Sequence, residues 1–208
     1  MNRYLFNRPN AHDLYGIDLH RLVGGVDTEA EYQSLWKCVK LAEWINGIVV
    51  EKVSGCPESF FTTTLGMFVH KHADLIDRGF CTGASGPYRM KSGNVLMPDF
   101  AYTQHDRVTI PLPEIADWCP DLCVDVISPG NGTSELEFRR REFFSSGCRL
   151  YWEFDPRART IKTYLEPAAI YRSLFVNDIL DGNPVLEGFA LPLSDLFDEF
   201  DDYFPANP

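Results

Sequence analysis

The segment from 122 to 127, Leu-Cys-Val-Asp-Val-Ile, most constrains how this chain can fold, because it is an almost uninterrupted apolar run. A short run of this kind, closed by Ser128-Pro129-Gly130, is typical of a central strand that is buried on both faces. Its one interruption is Asp125. An ionised carboxylate in a buried strand is costly, so Asp125 needs a partner cation, hydrogen bonds or a metal ion.

The elements that follow this strand predict a crossover unit. Ser134 and Glu137 fit a capping box that opens a helix, and Gly147 ends that helix. The next strand runs from Arg149 to Asp155, and residues 160–165 predict an antiparallel neighbour. A strand, a helix and a strand joined this tightly give parallel strands, with the helix laid across the sheet that carries the buried aspartate.

The rest of the chain predicts a mixed sheet with helices beside it. Asn46-Gly47 is a strong signal for a hairpin between residues 41–45 and 48–53, because both turn residues tolerate positive φ. Apolar spacing predicts helices over residues 28–40 and 58–78, and short strands over 80–105. The fold class is α+β: an irregular N-terminal arm over residues 1–25, then one domain over 26–208 that ends in an acidic helical turn.

Two further acids are candidate companions of Asp125. Asp99 follows Pro98 at the start of another apolar strand, and acids at the ends of adjacent strands can share a hard divalent cation. Glu43 lies at the front of the hairpin, on the same strand face as Leu41 and Ile45. The alternative is that each acid caps a turn or pairs with an arginine.

Composition limits the classes of function. The net charge of -11 argues against a broad nucleic-acid surface, so any contact with DNA must be local. No apolar stretch is long enough to span a membrane, and residues 1–8 do not resemble a signal peptide, so we expect a cytoplasmic protein with no membrane contact. The six cysteines show no paired zinc spacing, which favours reduced and mostly buried thiols.

Several segments, in this order, resemble the Uma2 family of restriction-endonuclease-like proteins. The resemblance covers about Thr28 to Phe197. Its segments are Glu43-Trp44-Ile45-Asn46-Gly47-Ile48-Val49-Val50-Glu51, Met97-Pro98-Asp99-Phe100-Ala101, Pro120-Asp121-Leu122-Cys123-Val124-Asp125-Val126-Ile127-Ser128-Pro129, Tyr151-Trp152-Glu153-Phe154-Asp155-Pro156 and Val185-Leu186-Glu187-Gly188-Phe189.

The resemblance implies a PD-(D/E)XK nuclease core, with a mixed central sheet and flanking helices, that hydrolyses DNA phosphodiester bonds. It implies that Glu43, Asp99 and Asp125 hold Mg²⁺, or Mn²⁺, and that a helical lysine completes the site. Two positions depart from the family pattern, which usually has Glu at position 125 and Lys at position 139, here Arg139. We therefore keep an alternative, a catalytically weakened module that retains the fold for binding or interaction.

The arginines of the predicted helix are the candidate partners of phosphate. Arg139 lies three residues after Leu136 and four before Phe143, on the stripe that faces the sheet, and can point toward the buried aspartate. Arginine can neutralise charge on a phosphate but stays protonated, so it cannot act as a base. Arg140 and Arg141 are the candidate phosphate contacts, although a basic helical turn is more often a solvated face. A homodimer is expected if both DNA strands are cut.

Overall fold

The computed structural model describes residues 17, 22–36, 41–52, 54–75, 79–128, 132–167 and 170–204. Its strands are β1 Leu22–Gly25, β2 Ala42–Ile45, β3 Ile48–Glu51, β4 Phe80–Gly83, β5 Tyr88–Arg89, β6 Val95–Leu96, β7 Phe100–Thr103, β8 Leu122–Val126, β9 Leu150–Asp155, β10 Thr160–Tyr164, β11 Arg172–Phe175, β12 Ile179–Asp181 and β13 Ala190–Pro192. Its helices are α1 Glu29–Trp36, α2 Cys56–Leu75, α3 Thr133–Ser146 and α4 Leu193–Tyr203.

Two sheets carry the residues of interest. The larger sheet has six strands in the order β11-β10-β9-β8-β7-β4. Only β8 and β9 in it are parallel, and the other neighbours are antiparallel. The second sheet has five strands in the order β1-β3-β2-β6-β5, and β12 pairs with β13 separately. The prediction of an α+β fold with a mixed central sheet is confirmed.

The hairpin β2-β3 forms as the Asn-Gly pair predicts. Asn46 has φ 49° and Gly47 has φ 81°, the left-handed conformations that a two-residue hairpin turn requires. This turn sets the register, which pairs Glu43 with Val50 and Ala42 with Glu51. Because directly paired residues project to the same face of a sheet, Glu43 and Val50 share a face.

The predicted crossover unit is present, but its helix begins differently. The chain passes from β8 through α3 into the parallel strand β9. The predicted capping box at Ser134 is wrong: α3 starts at Thr133 after the N-cap Gly132, and no side chain caps it. The end of α3 agrees with the prediction, since Gly147 has φ 115° and its N–H bonds back to the last turn.

The large sheet is buried on both faces, as the apolar run in β8 predicts. Leu122, Val124 and Val126 pack in one core cluster with α2 and α4. Cys123 alternates with them and packs in a second cluster with Phe143 of α3. Strand alternation therefore turns Asp125 toward α3.

Other predictions need adjustment. Residues 22–25, the end of the predicted irregular arm, form β1, and most of the remaining arm lies outside the described residues. The predicted acidic helical turn is the helix α4, which buries the apolar stripe Leu193, Leu196, Phe197 and Phe200. Cys119, Cys123 and Cys148 are buried free thiols. Within the described residues, no helix has the length and apolarity to cross a membrane.

Candidate active site

The antiparallel pairing of β7 and β8 places the two predicted aspartates side by side. Phe100 pairs with Val124, so Asp99 and Asp125, one step further along each strand, lie opposite each other. The backbone N–H of Asp99 donates to the Val124 carbonyl at 2.8 Å. Asp99 Oδ2 in turn accepts a 2.7 Å hydrogen bond from the Val126 N–H, so one of its two oxygens is held by backbone.

Glu43 reaches the same place from the other sheet. It is fully buried, and its Oε1 accepts a 2.6 Å hydrogen bond from the backbone N–H of Met97. Met97 lies two residues before Asp99, so this bond ties the hairpin to the entry of β7. The three acids predicted from the sequence are thus brought together in space.

Arg139 joins two of these acids. Its Nε and Nη2 donate to Asp125 Oδ2 and Oδ1 at 2.7 and 2.9 Å, a bidentate pair. Its Nη1 donates to Glu43 Oε1 and Oε2 at 2.6 and 2.7 Å. A second bond from Nη2 reaches the Met97 carbonyl at 2.9 Å. A guanidinium has five N–H donors, and these five bonds engage all of them.

Lys52 is a site residue that the sequence analysis missed. Its Nζ lies 2.8 Å from Asp99 Oδ1 and donates to the Met97 carbonyl at 2.5 Å. The hairpin register could have identified Lys52 as a site residue. Glu43 pairs with Val50, and Lys52 lies two residues after Val50, so Lys52 and Glu43 share a face of the strand pair. The cluster therefore contains two basic side chains and three acidic ones.

Tyr151 of β9 completes the surroundings of Asp125, since its hydroxyl donates to Asp125 Oδ2. Burial by itself raises the pKa of Asp125, but the ion pair with Arg139, supported by Lys52 and the tyrosine hydroxyl, outweighs it and holds that pKa below its usual value. Burial and the neighbouring carboxylate raise the pKa of Tyr151. Asp125 is therefore an ionised acceptor and Tyr151 a neutral donor at neutral pH.

Comparisons with known proteins identify the family and the fold of this chain. The family model of Uma2, described as "putative restriction endonuclease", matches residues 36–194. The chain belongs to the Uma2 family. A solved structure of a "putative nuclease" from Anabaena variabilis has a similar fold, with a TM-score of 0.69 and 14% identity over 76% of this chain and 90% of that one. A search of curated proteins gave no match.

A divalent metal is the cofactor that restriction-endonuclease-like families generally use, so the Uma2 cluster must be tested for one. Carboxylate oxygens are suitable ligands for Mg²⁺. Here, however, both carboxylate oxygens of each acid, Glu43, Asp99 and Asp125, already have a partner. These partners are the side chains of Arg139, Lys52 and Tyr151 and backbone N–H groups. Within the described residues, no three acidic, histidine or cysteine side chains form a metal-holding group. As arranged, this Uma2 site does not fit a metal ion.

The two arginines predicted to contact phosphate lie in different environments. Arg140 is buried, donates to Glu153 Oε1 at 2.8 Å and stacks over Tyr164 at 4.1 Å. Burial raises the pKa of Glu153 despite Tyr164 and Arg140, which lower it. Arg141 is 66% exposed and pairs with Glu137 one turn earlier. Of the two, Arg141 is therefore the one that can reach a phosphate in solvent.

The Asp99–Lys52 pair is the most accessible part of the cluster. The side chains of Asp99 and Lys52 are 12% and 8% exposed, against 1% for Glu43. A cavity of about 360 Å³ beside α2 has Phe100 in its wall but neither Asp99 nor Lys52. Because neighbouring residues of a strand point to opposite faces, Phe100 and Asp99 lie on different sides of β7.

Proposed function

We propose that this Uma2 protein is a nuclease-fold module that binds nucleic acid and, with Arg139 in place, does not cleave it. The proposal rests on the position of the Arg139 guanidinium, which lies between Glu43 and Asp125. All five of its N–H groups donate hydrogen bonds to other groups of the protein. A group in this state has no donor left for a phosphate, and the acids it holds have no oxygen left for a metal.

The closed arrangement is also favoured energetically. Removing one partner from a buried ion pair costs roughly 3 to 5 kcal/mol, because it leaves a buried charge without compensation. A metal that entered between the two acids would have to displace Arg139, whose side chain is only 6% exposed. The displaced guanidinium would lose its buried carboxylate partners, so the closed arrangement is favoured.

Nucleic acid is the partner that membership of this family suggests. With a net charge of -11, the contact has to be local. Arg141 is the candidate for it, because its side chain is exposed and its pairing with Glu137 is an exposed i,i+4 pair that stabilises weakly. If Arg141 neutralises one phosphate, about one counterion is released, and the slope of log binding constant against log salt concentration should be about -1.

The test combines binding, cleavage and metal titration on the wild-type protein. Fluorescence anisotropy with a labelled duplex should detect binding that weakens as salt rises, and Arg141→Ala should weaken it. Arg172→Ala, at an exposed arginine on β11, is the matched control and should leave binding unchanged. Plasmid incubated with Mg²⁺ or Mn²⁺ should stay supercoiled. No DNA binding, or nicking by wild-type protein, contradicts the proposal.

The second candidate is a Mg²⁺-dependent DNA endonuclease, which would act as a homodimer to cut both strands. It is supported by the convergence of all four predicted catalytic residues, Glu43, Asp99, Asp125 and Arg139, in one cluster. For Glu43, Asp99 and Asp125 to hold the ion, Arg139 would first have to leave Glu43 and Asp125, because as arranged none of these carboxylates has an oxygen free for it. Nicking by the wild type that is lost in Asp99→Asn would establish this candidate and reject the first.

A further inference from the structure

We propose that the open face of strands β10 and β11 binds single-stranded nucleic acid by stacking its bases on Tyr171 and Phe175. The inference rests on the proposed function and deepens it, because it names the form of nucleic acid that binds and a contact surface beyond Arg141. Both rings are accessible: Tyr171 is 46% exposed and Phe175 is 57% exposed. Aromatic side chains bury a large apolar area when they bind, so two exposed rings on one sheet face mark an interaction surface.

The register of the strands places a lysine between the two rings. Tyr171, Ser173 and Phe175 alternate along the chain and therefore project to one face. Phe175 pairs with Thr160 and Ser173 pairs with Lys162, and directly paired residues share a face. The Lys162 ammonium lies 5.0 Å from the centroid of the Tyr171 ring. Because Ser173 is small, the space between the two rings stays open beside this ammonium.

The aromatic face adjoins the helix that carries Arg141. The ring of Tyr171 lies 5.3 Å from the ring of Tyr164, and the Arg140 guanidinium stacks over Tyr164 at 4.1 Å. Arg140 belongs to α3, and Arg141 is the next residue of that helix. The exposed rings and the exposed arginine therefore lie on the same side of the large sheet, so one extended ligand could contact both.

The distance between the rings favours a single strand. Residues four apart in a strand are separated by about 13 Å, whereas successive phosphates of one strand in a duplex advance by about 3.4 Å. Bases in a duplex are covered by their neighbours, so unstacked bases are the ones that can lie on protein rings. Tyr171 and Phe175 would each hold one base, and Lys162 would neutralise a phosphate between them. Stacking of this kind is tolerant of base sequence.

The acids beside this face are engaged within the protein. Glu153, which pairs with Lys162 across β9 and β10, is buried and accepts from Arg140 at 2.8 Å. Asp155 Oδ1 accepts from two backbone N–H groups of the following turn at 3.1 and 2.9 Å. Lys162 is therefore available to a phosphate, and the contact is short, as the net charge of -11 requires.

A second copy of this chain is the competing occupant, because β11 is an edge strand of the large sheet. Pairing of two edges uses the outward backbone N–H and carbonyl groups of the strand. At Phe175 these groups are already bonded: the N–H donates to Asp178 Oδ2 at 2.8 Å, and the carbonyl accepts from the Asp178 N–H at 2.8 Å. This end of the edge is closed, which favours the face over the edge as the binding surface.

The test is fluorescence anisotropy with a labelled oligothymidylate, with the labelled duplex measured alongside. Tyr171→Leu and Phe175→Leu should each weaken binding of the single strand about tenfold, because leucine stays apolar but has no ring on which a base can stack. Tyr171→Phe keeps the ring and should keep the affinity. The matched control is Tyr203→Leu, at a tyrosine of α4 that is 70% exposed, which should leave binding unchanged.

The salt dependence tests the role of Lys162. For a single strand, the slope of log binding constant against log salt concentration changes by about 0.7 for each phosphate neutralised. Lys162→Gln should make the slope less steep by about this amount, whereas Lys162→Arg should keep the wild-type slope. An unchanged slope in Lys162→Gln would overturn the assignment of this lysine to a phosphate.

The variants separate this surface from the proposed function. Melting temperatures show whether each variant folds, and Phe175→Leu carries the test if Tyr171→Leu, which loses a contact with Tyr164, does not fold. Unchanged single-strand binding in the folded leucine variants would overturn the stacking face, and the proposed function would stand if Arg141→Ala still weakens duplex binding. A dimer in sedimentation that Phe175→Leu dissociates, with single-strand binding unchanged, would assign the face to a second copy instead. No binding of either probe would contradict both.

Discussion

Replacing Asp125 by asparagine should destabilise the protein by about 3 kcal/mol at neutral pH, the lower end of the cost of breaking a buried ion pair. The carboxylate accepts bonds at 2.7 and 2.9 Å from Arg139 and a third from Tyr151. An asparagine can accept with one atom only, and its NH₂ would face donors. The lower end of the range applies because Glu43 still compensates the guanidinium.

The pH dependence of this difference follows from the lowered pKa of Asp125. A carboxyl group whose pKa is lower in the folded than in the unfolded chain contributes stability above its unfolded pKa, and this contribution is lost as the pH falls through the folded pKa. The variant lacks the contribution at every pH. The gap between wild type and Asp125→Asn should therefore be largest near neutral pH and should shrink in acid.

Urea unfolding at about pH 7 and about pH 3, on either side of the unfolded aspartate pKa, measures this gap. Asp106→Asn is the control, since Asp106 is an exposed aspartate and its substitution should change the free energy of unfolding by less than about 0.5 kcal/mol. A neutral-pH gap below about 1 kcal/mol, or a gap that widens in acid, would refute the argument that the ion pair with Arg139 stabilises the fold.

Three further substitutions are tested by the same measurement. Tyr151→Phe removes a buried donor to a carboxylate and should cost about 1 to 2 kcal/mol. Burial raises the pKa of Glu153, and Arg140→Met removes its cation. The destabilisation should be largest where Glu153 is ionised and should fade in acid, where Glu153 is protonated in both proteins. Gly79→Ala should cost more than about 2 kcal/mol, because Gly79 has φ 145° and a Cβ there would overlap the ring of Tyr102.

The parts of the fold that local chemistry decides could be predicted from the sequence. The Asn46-Gly47 turn fixed the hairpin, and the apolar run in β8 with the following helix and strand fixed the parallel pair. The helical spacing placed Arg139 toward Asp125, which the structure confirms. The same spacing also indicates burial of Arg140, which lies four residues after Leu136 and is buried in the structure, whereas the sequence analysis predicts it as a phosphate contact.

The parts that depend on long-range geometry could not be predicted. Helix boundaries such as the start of α3 at Thr133 depend on the path of the preceding loop. Whether Glu43 and Asp125 lie close enough to share one cation depends on how two separate sheets pack. The spacing of residues in the sequence does not give the distance between Glu43 and Asp125. That distance decides whether the two acids share a metal ion or an arginine.

The two departures from the Uma2 pattern act together in the structure. A planar guanidinium is wider than an ammonium and offers paired donors to a carboxylate, so it needs more room beside the acid. Aspartate is one methylene shorter than glutamate and gives that room at position 125. The outcome is the bidentate pair of Arg139 with Asp125, with two donors left for Glu43 and one for the Met97 carbonyl. The arginine therefore supplies, from within the chain, the positive charge that the carboxylates would otherwise require from an ion.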